Sequence, residues 1–449
     1  MPMNTRFGSV CVISLGCAKN LVDSEHMLGI LQAKGFTLTS DMDKADFAVI
    51  NTCGFLESAV EEAIDVVLET ARLKKQGPLR RLVVAGCMVQ RYGYKLAREL
   101  PEVDAWLGTG EISRVAEVLR ADSTGPVPFY ISRPTFLAGH AVPRVQSTPF
   151  YTAYLKIAEG CSHRCAYCII PKLRGPFRSR PIPSLIREVK KMAQRGVKEI
   201  NLIAQDTSLY GKDLYGEPRL TELIEKMIPI EGVQWIRILY LHPHRVSESL
   251  LDLMEAEETV CPYLDIPFQH VNPDLLRAMG REPRGETPEE LIQRIRGRKR
   301  DIVIRTTLMV GFPGETEEMF GQLCSFVGRA DLDHVGVFAF SPEKGAPAAR
   351  FPSKVDPAMA QKRLTRLMGI QARVSKRLNA GKVGQVLPAL IEGPSPETDL
   401  LLIGRTAGMA PDVDSRVLIN DGEGIAGRIM PVHITEAHTY DLVGRIPVH

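Results

Sequence analysis

A chain of 449 residues is too long for one ordinary core, and a length prior of about 100–200 residues per domain predicts two to four units, of which three are expected here. With 44% apolar and 24% charged residues, no low-complexity tract and no internal repeat, the composition excludes a disordered chain. The formal net charge of +3 is small for this length and neither demands nor forbids a nucleic-acid partner.

Residues 1–16 carry only a short apolar run, broken by Gly8 and Gly16. That is too short for a signal peptide or a membrane span, so a cytoplasmic protein without membrane contact is expected. Apolar runs at 10–15, 47–51 and 82–85 predict strands, and helical patterns at 23–34 and 57–74 lie between them, which makes a parallel α/β unit ending near Ala121. The stretch 122–149 is rich in Pro, Gly, Ser and Thr without periodicity and reads as a linker, its centre at 125–146. Strand-like runs recur at 154–158, 199–204, 235–241, 263–267, 302–310 and 334–340, with helical stretches between them. A complete eight-fold barrel needs about 250 residues, so a partial (β/α)6 barrel is the better match. A helix is predicted at 357–378. Short β-like segments at 386–391, 400–405, 416–419 and 427–432 then predict a small all-β barrel. The expected units are therefore 1–124, 147–377 and 378–449, in the α/β class.

In a reducing compartment nine cysteines point to metal or redox chemistry rather than disulfides. Cys161, Cys165 and Cys168 form a CxxxCxxC just after the first barrel strand, where loops at the carboxyl face of a barrel gather catalytic groups. Three thiolates on a tight loop suit three irons of a four-iron cluster and leave the fourth open to a ligand. A zinc site with His163 as fourth ligand is the alternative that spacing leaves open. Cys17, Cys53 and Cys87 each lie two residues past the end of a different predicted strand, and in a parallel sheet those ends share one edge, so the three can meet. Unrelated buried thiols are the plainer reading. Cys11, Cys261 and Cys324 sit inside apolar patterns and read as core.

The CxxxCxxC with Tyr167 before its last cysteine resembles the radical S-adenosylmethionine (SAM) signature, and Cys17, Cys53 and Cys87 resemble the amino-terminal cluster site of the methylthiotransferases. The likeness covers nearly the whole chain. It implies two [4Fe-4S] clusters, one on each cysteine triad, and SAM used both as methyl donor and as radical source. It implies sulfur drawn from sulfide or from a cluster, a low-potential electron donor such as flavodoxin or ferredoxin, and a carboxy-terminal TRAM domain. Candidate SAM contacts are Tyr167, Gln205, Asp206, Gln269 and Gly311 on the barrel loops, with His242, His244 and His270 nearby in sequence, and Arg305, pointing into the barrel, for the SAM carboxylate. For Gly311 to Glu315 a turn leading into a helix is equally consistent, and for Arg305 a buried ion pair.

The runs Cys17-Ala18-Lys19-Asn20-Leu21-Val22-Asp23-Ser24-Glu25, Asn51-Thr52-Cys53-Gly54-Phe55 and Gly86-Cys87-Met88-Val89-Gln90-Arg91-Tyr92 resemble the branch that modifies an aspartate of ribosomal protein uS12 rather than the branch that modifies a tRNA adenosine. From Lys376 onward seven Lys or Arg stand against nine Asp or Glu. An RNA-gripping domain is usually basic, so this balance suits a basic ribosomal protein better than tRNA. A cluster-dependent RNA-binding module without turnover is the alternative from outside the enzyme class.

Overall fold

The computed structural model describes residues 7–121, 125–282 and 285–447. The first sheet is six-stranded and wholly parallel: β1 (Ser9–Ser14), β2 (Thr37–Leu38), β3 (Phe47–Thr52), β4 (Arg81–Gly86), β5 (Ala105–Leu107) and β6 (Phe129–Tyr130), in the order β2-β1-β3-β4-β5-β6. Its central strands are buried on both faces. Ala48, Ile50, Leu82 and Val84 pack to one side, and Val10, Val49, Val83 and Ala85 to the other, which is why these strands read as unbroken apolar runs.

Two corrections to the sequence reading belong here. The first helix starts at Ala18, directly after Cys17, and not at residue 23. Its early turns bury Lys19, Asn20, Asp23, Ser24, Glu25 and His26, so polar groups spoil the apolar periodicity that marks a helix. The presumed linker supplies β6, and Arg144 within it is pinned to Glu25 and Glu188. Gly29 lets this segment cross the helix: a Cβ there would lie 2.4 Å from the Arg144 nitrogen. The expected boundary at residue 124 lies outside the described residues.

The second sheet is an open barrel of six parallel strands: β7 (Thr152–Lys156), β10 (Glu199–Ile203), β11 (Trp235–Ile238), β12 (Val260–Asp265), β13 (Val303–Val310) and β14 (His334–Ala339), in the order β14-β13-β12-β11-β10-β7. Between β7 and β10 lies a small antiparallel pair, β8 (Ala158–Glu159) with β9 (Arg178–Ser179). Strand β13 shows the barrel's two faces. Ile304, Thr306, Leu308 and Val310 are buried toward the helices, and the alternate residues, Arg305 among them, face inward. The third sheet is a closed five-stranded barrel of β15 (Val386–Ser395), β16 (Thr398–Thr406), β17 (Val417–Asp421), β18 (Ile429–Ala437) and β19 (Leu442–Arg445).

This last barrel plugs the amino-terminal end of the middle one. The Arg237 guanidinium donates to the Ala407 carbonyl at 2.7 Å, Tyr154 to Asp412 at 2.8 Å and Tyr263 to Asp414 at 2.6 Å, while Arg405 is enclosed against Glu199. The opposite, carboxyl-terminal end is left for chemistry. Among the described residues no helix is long and apolar enough to cross a membrane.

Candidate active site between the two parallel sheets

In an open parallel sheet ligands gather at the carboxyl ends of strands, where the strand order reverses direction. Here the reversal falls between β1 and β3, and Cys17 and Cys53 follow those two strands while Cys87 follows β4 and opens the helix Cys87–Tyr92. The three loops close onto one another only because two residues lack a side chain. Gly16 has φ +93°, and a Cβ there would meet the Cys53 Cβ at 2.7 Å; one on Gly54 would meet the Met88 nitrogen at 2.5 Å. Asn20 staples the group, donating to the carbonyls of Leu15 and Thr52, both at 2.9 Å, while its own carbonyl accepts from Asn51 at 2.8 Å.

The second triad hangs between β8 and β9. Gly160 has φ +80° and a Cβ there would lie 2.2 Å from the Pro176 carbonyl oxygen, so only glycine permits this entry to the loop. The Cys161 amide donates to the Gly175 carbonyl at 3.0 Å, Ala166 to Met279 at 2.9 Å and Cys168 to Cys165 at 3.1 Å, which fixes the loop from within and against the ends of two helices.

All six cysteines line one cavity of about 460 Å³, together with Lys19, Tyr167, Arg174, Gln205, Asp206, Tyr240, His242, Gln269, Arg281 and Phe338. Burial pushes the Cys161 thiol up to about 11 and those of Cys87 and Cys168 to about 12. Burial also pushes the Cys17 thiol up, but Lys19 and Arg174 and the amides of Asn20 and Lys19 outweigh it and bring the thiol below its ordinary value. Thiols held neutral in this way become ligands when a metal displaces their protons. Two glycine-lined thiol cradles with that donor set suit two iron–sulfur clusters. Among the described residues no three His, Cys, Asp or Glu side chains are placed to hold a single metal ion. A cubane spreads its thiolates around several irons and needs no such convergence. His163 instead stacks on His242, with ring centroids 4.6 Å apart, and its Nε2 lies 2.7 Å from Asp206.

The candidate contacts divide. Tyr167, Gln205, Asp206 and Gln269 line the cavity, as does His242; Gln269 holds φ +71°, a strained conformation for a residue with a side chain. Arg305 and Gly311 are not in its wall. Arg305 is tied to Asp265 at 3.0 Å and to Asp414 of the last barrel at 3.3 Å, since its inward position on β13 is near the plugged end. Gly311 donates its amide to Glu315 at 2.5 Å in a turn that Arg363 also holds, at 2.7 Å from Glu315. His270 is buried against Glu315 as well. For Arg305 and for the 311–315 turn the structural alternatives hold.

Three cations escaped the sequence reading. Arg281 reaches the Tyr167 hydroxyl at 3.4 Å and the Pro267 carbonyl at 2.8 Å, and its Nε is buried without a partner. Arg174 is buried where the two triads meet: its guanidinium contacts Asp23 at 2.9 Å, Glu159 at 3.0 Å and Asn20. Lys19 places its ammonium over the Tyr240 ring, 3.0 Å from the centroid. A lone Arg or Lys in a loop or polar helix start carries no pattern, so only the fold could reveal them.

Residues 9–108 match uncharacterized protein family UPF0004, residues 155–327 the radical SAM superfamily and residues 383–446 the TRAM domain. Ribosomal protein uS12 methylthiotransferase RimO of Syntrophotalea carbinolica is 45% identical over 438 residues, covering 97% of this chain and 96% of the relative. The protein of the same name from Geotalea uraniireducens is 46% identical over 438 residues, covering 97% and 98%. The chain belongs to the RimO family of radical SAM methylthiotransferases. Its architecture also resembles the radical SAM methyltransferase TsrM of Kitasatospora setae with tryptophan and a SAM analogue bound, at a TM-score of 0.54 and 16% identity over 73% of this chain and 72% of that one. At that identity the likeness speaks for the fold alone. The RimO-family assignment agrees with the branch signature around Cys17, Cys53 and Cys87 and with the TRAM reading of the last barrel.

Proposed function

We propose that this enzyme attaches a methylthio group to the β-carbon of an aspartate in ribosomal protein uS12, with SAM as methyl donor and radical source; its relatives are named as uS12 methylthiotransferases. The observation that carries this reading is that two cysteine triads from separate sheets open into one cavity. Cys161, Cys165 and Cys168 would hold one [4Fe-4S] cluster with an iron left open for SAM, and Cys17, Cys53 and Cys87 a second. Bound there, the two clusters supply the electron that cleaves SAM and the site at which sulfur from sulfide or from a cluster is handled.

The protein's own groups do the rest by holding and shielding. Arg281 stands beside Cys165 and Tyr167 with a free donor and takes the role expected of Arg305, receiving the SAM carboxylate. Asp206 binds His163 and Arg245, which fixes the orientation of the cysteine loop. Phe338, Leu241 and Ile170 give the cavity part of an apolar wall, and a bound substrate would complete the shielding of a reactive intermediate from water. We assign the chemistry to units 1–124 and 147–377 and the TRAM domain to 378–449. That last unit's acidic balance supports a basic protein partner, met in the cytoplasm, and flavodoxin or ferredoxin would serve as reductant.

Peptide mass spectrometry tests the reading. The reconstituted enzyme is incubated anaerobically with SAM, a low-potential reductant and either uS12 or unmodified tRNA. A methylthio mass gain on a uS12 aspartate peptide is expected. A gain only on tRNA refutes the substrate, and no SAM cleavage by a fully iron-loaded protein refutes the reaction.

A further inference from the structure

Lys19 is only 7% exposed, yet among the described residues no carboxylate lies within ion-pair distance of its ammonium. Other buried cations nearby are matched: Lys156 by Asp23 and Glu159, Arg174 by the same two, Arg144 by Glu25 and Glu188. A buried charge left without a counter-ion is costly, so it persists where something else compensates it. What Lys19 has is a wall of the cavity, the thiol of Cys17 two residues before it, and the face of Tyr240.

That aromatic face is itself held in place against strain. Tyr240 has φ +63°, which a side-chain-bearing residue adopts rarely. The conformation is kept by its amide donating to Asp265 at 3.0 Å and its carbonyl accepting from the Thr207 amide at 3.0 Å. The ammonium is therefore held over a ring in the cavity wall, an arrangement that favours a desolvated cation.

The cavity thus presents two cations without carboxylate partners, Arg281 beside the Cys161–Cys165–Cys168 triad and Lys19 beside the Cys17–Cys53–Cys87 triad. The proposed reaction brings in two carboxylates, one on SAM and one on the target aspartate. We propose that Lys19 receives the side-chain carboxylate of the target aspartate and thereby sets its β-carbon, one bond away, between the two triads; this rests on the uS12 reading above. A charge-assisted contact in a mostly apolar cavity gives both affinity and the means to tell aspartate from its uncharged amide. Lys19 is on this view a specificity-determining residue.

The test uses the full-length reconstituted enzyme and two forms of uS12, one with the target aspartate and one with asparagine there. Dissociation constants are measured by fluorescence anisotropy, KM and kcat by mass spectrometry, and iron content in each preparation. Wild type is expected to bind the Asp form about ten- to a hundredfold more tightly than the Asn form. Lys19→Met should lose that preference through weaker binding of the Asp form only, and Lys19→Arg should recover part of it. A Lys19→Met protein with full iron that keeps the preference overturns the proposal. If Lys19→Met fails to load iron, wild type alone decides, since equal affinity for the two forms overturns it as well. A wild-type enzyme that cleaves SAM but neither binds nor modifies uS12 refutes the substrate reading instead, and the proposal falls with it.

Discussion

Replacing Arg405 asks whether the carboxy-terminal barrel is an appendage or part of the middle barrel's core. Arg405 is buried, with its guanidinium donating to Glu199 at 2.8 and 3.2 Å, to Glu392 at 2.8 Å and to the Met409 carbonyl at 3.0 Å. Glu199 is wholly enclosed, and its other charged partner is Arg237, at 2.9 and 3.1 Å. Burial pushes the Glu199 carboxyl up, but Arg405 and then Arg237 outweigh it and hold it at about 2. A depression of roughly two units from an ordinary glutamate is worth about 3 kcal/mol at neutral pH. Removing one partner of a buried ion pair costs about 3–5 kcal/mol by a separate route. The depression is shared with Arg237 and Thr152, so the ion-pair figure governs and Arg405→Met should lower stability by about 3–5 kcal/mol. Because the folded carboxyl is depressed, the contribution is complete above the unfolded value near pH 4.5 and is lost as pH falls toward 2. The chain has two tryptophans, and Trp235 packs beside Leu390 and Ala410 of the last barrel, so urea unfolding of a Trp106→Phe background reports this interface. A double-mutant cycle with Glu199→Gln isolates the pair. Coupling under about 0.5 kcal/mol would refute the claim that this contact joins the two barrels into one core.

His26 predicts a second acid limit. It is 1% exposed, and burial, then Arg144, pull its pKa down to about 3. The unfolded state therefore takes the proton first, so stability is full above about pH 6.5 and should fall by about 2 kcal/mol by pH 5. A His26→Gln protein with the same pH slope as wild type in urea melts would show that this imidazole is not responsible. Gly54→Ala forces a methyl to within 2.5 Å of the Met88 backbone, parting the Cys53 and Cys87 loops. Iron per chain should fall toward the content of one cluster; full loading would mean the loops can give. Arg281→Met should weaken SAM binding about ten- to a hundredfold by equilibrium dialysis, whereas Arg305→Met should leave SAM affinity alone and reduce stability. The reverse pattern would restore Arg305 as the SAM contact.

What the sequence made legible was whatever repeats. Runs such as 47–51 and 82–85 are apolar because both faces of a parallel strand are covered, and the three amino-terminal cysteines show up because each follows such a run. The two-residue strands β2 and β6 are too short to carry a period, and the Pro- and Ser-rich context of β6 disguised it as linker. The first helix lost its first turn to the same cause that makes it useful. Asn20, Asp23 and Glu25 are polar on a buried face because they bind across to the Cys loops, Arg174 and Arg144. Arg305 was placed in the right barrel and on its inner face, but the direction along the strand, toward the plug or toward the cavity, is a tertiary fact.

The relation between the two triads follows from that polar face. Asp23 lies six residues beyond Cys17, and Glu159 two before Cys161; Lys156 and Arg174 each bind both carboxylates in a buried lattice. Burial raises the Glu159 carboxyl, yet Arg174 and Lys156 more than reverse this and hold it far below the usual range, so Glu159 stays a carboxylate at neutral pH. Such a lattice gives less net stability than apolar packing would, because four charges have been taken out of water. What it gives is register. An apolar interface between the first sheet and the barrel could slide by a fraction of a residue at little cost, whereas charge-assisted hydrogen bonds to shared donors cannot. If the proposed reaction passes a methylthio group between the two triads, across a cavity of about 460 Å³, that fixed separation matters more than the extra stability would.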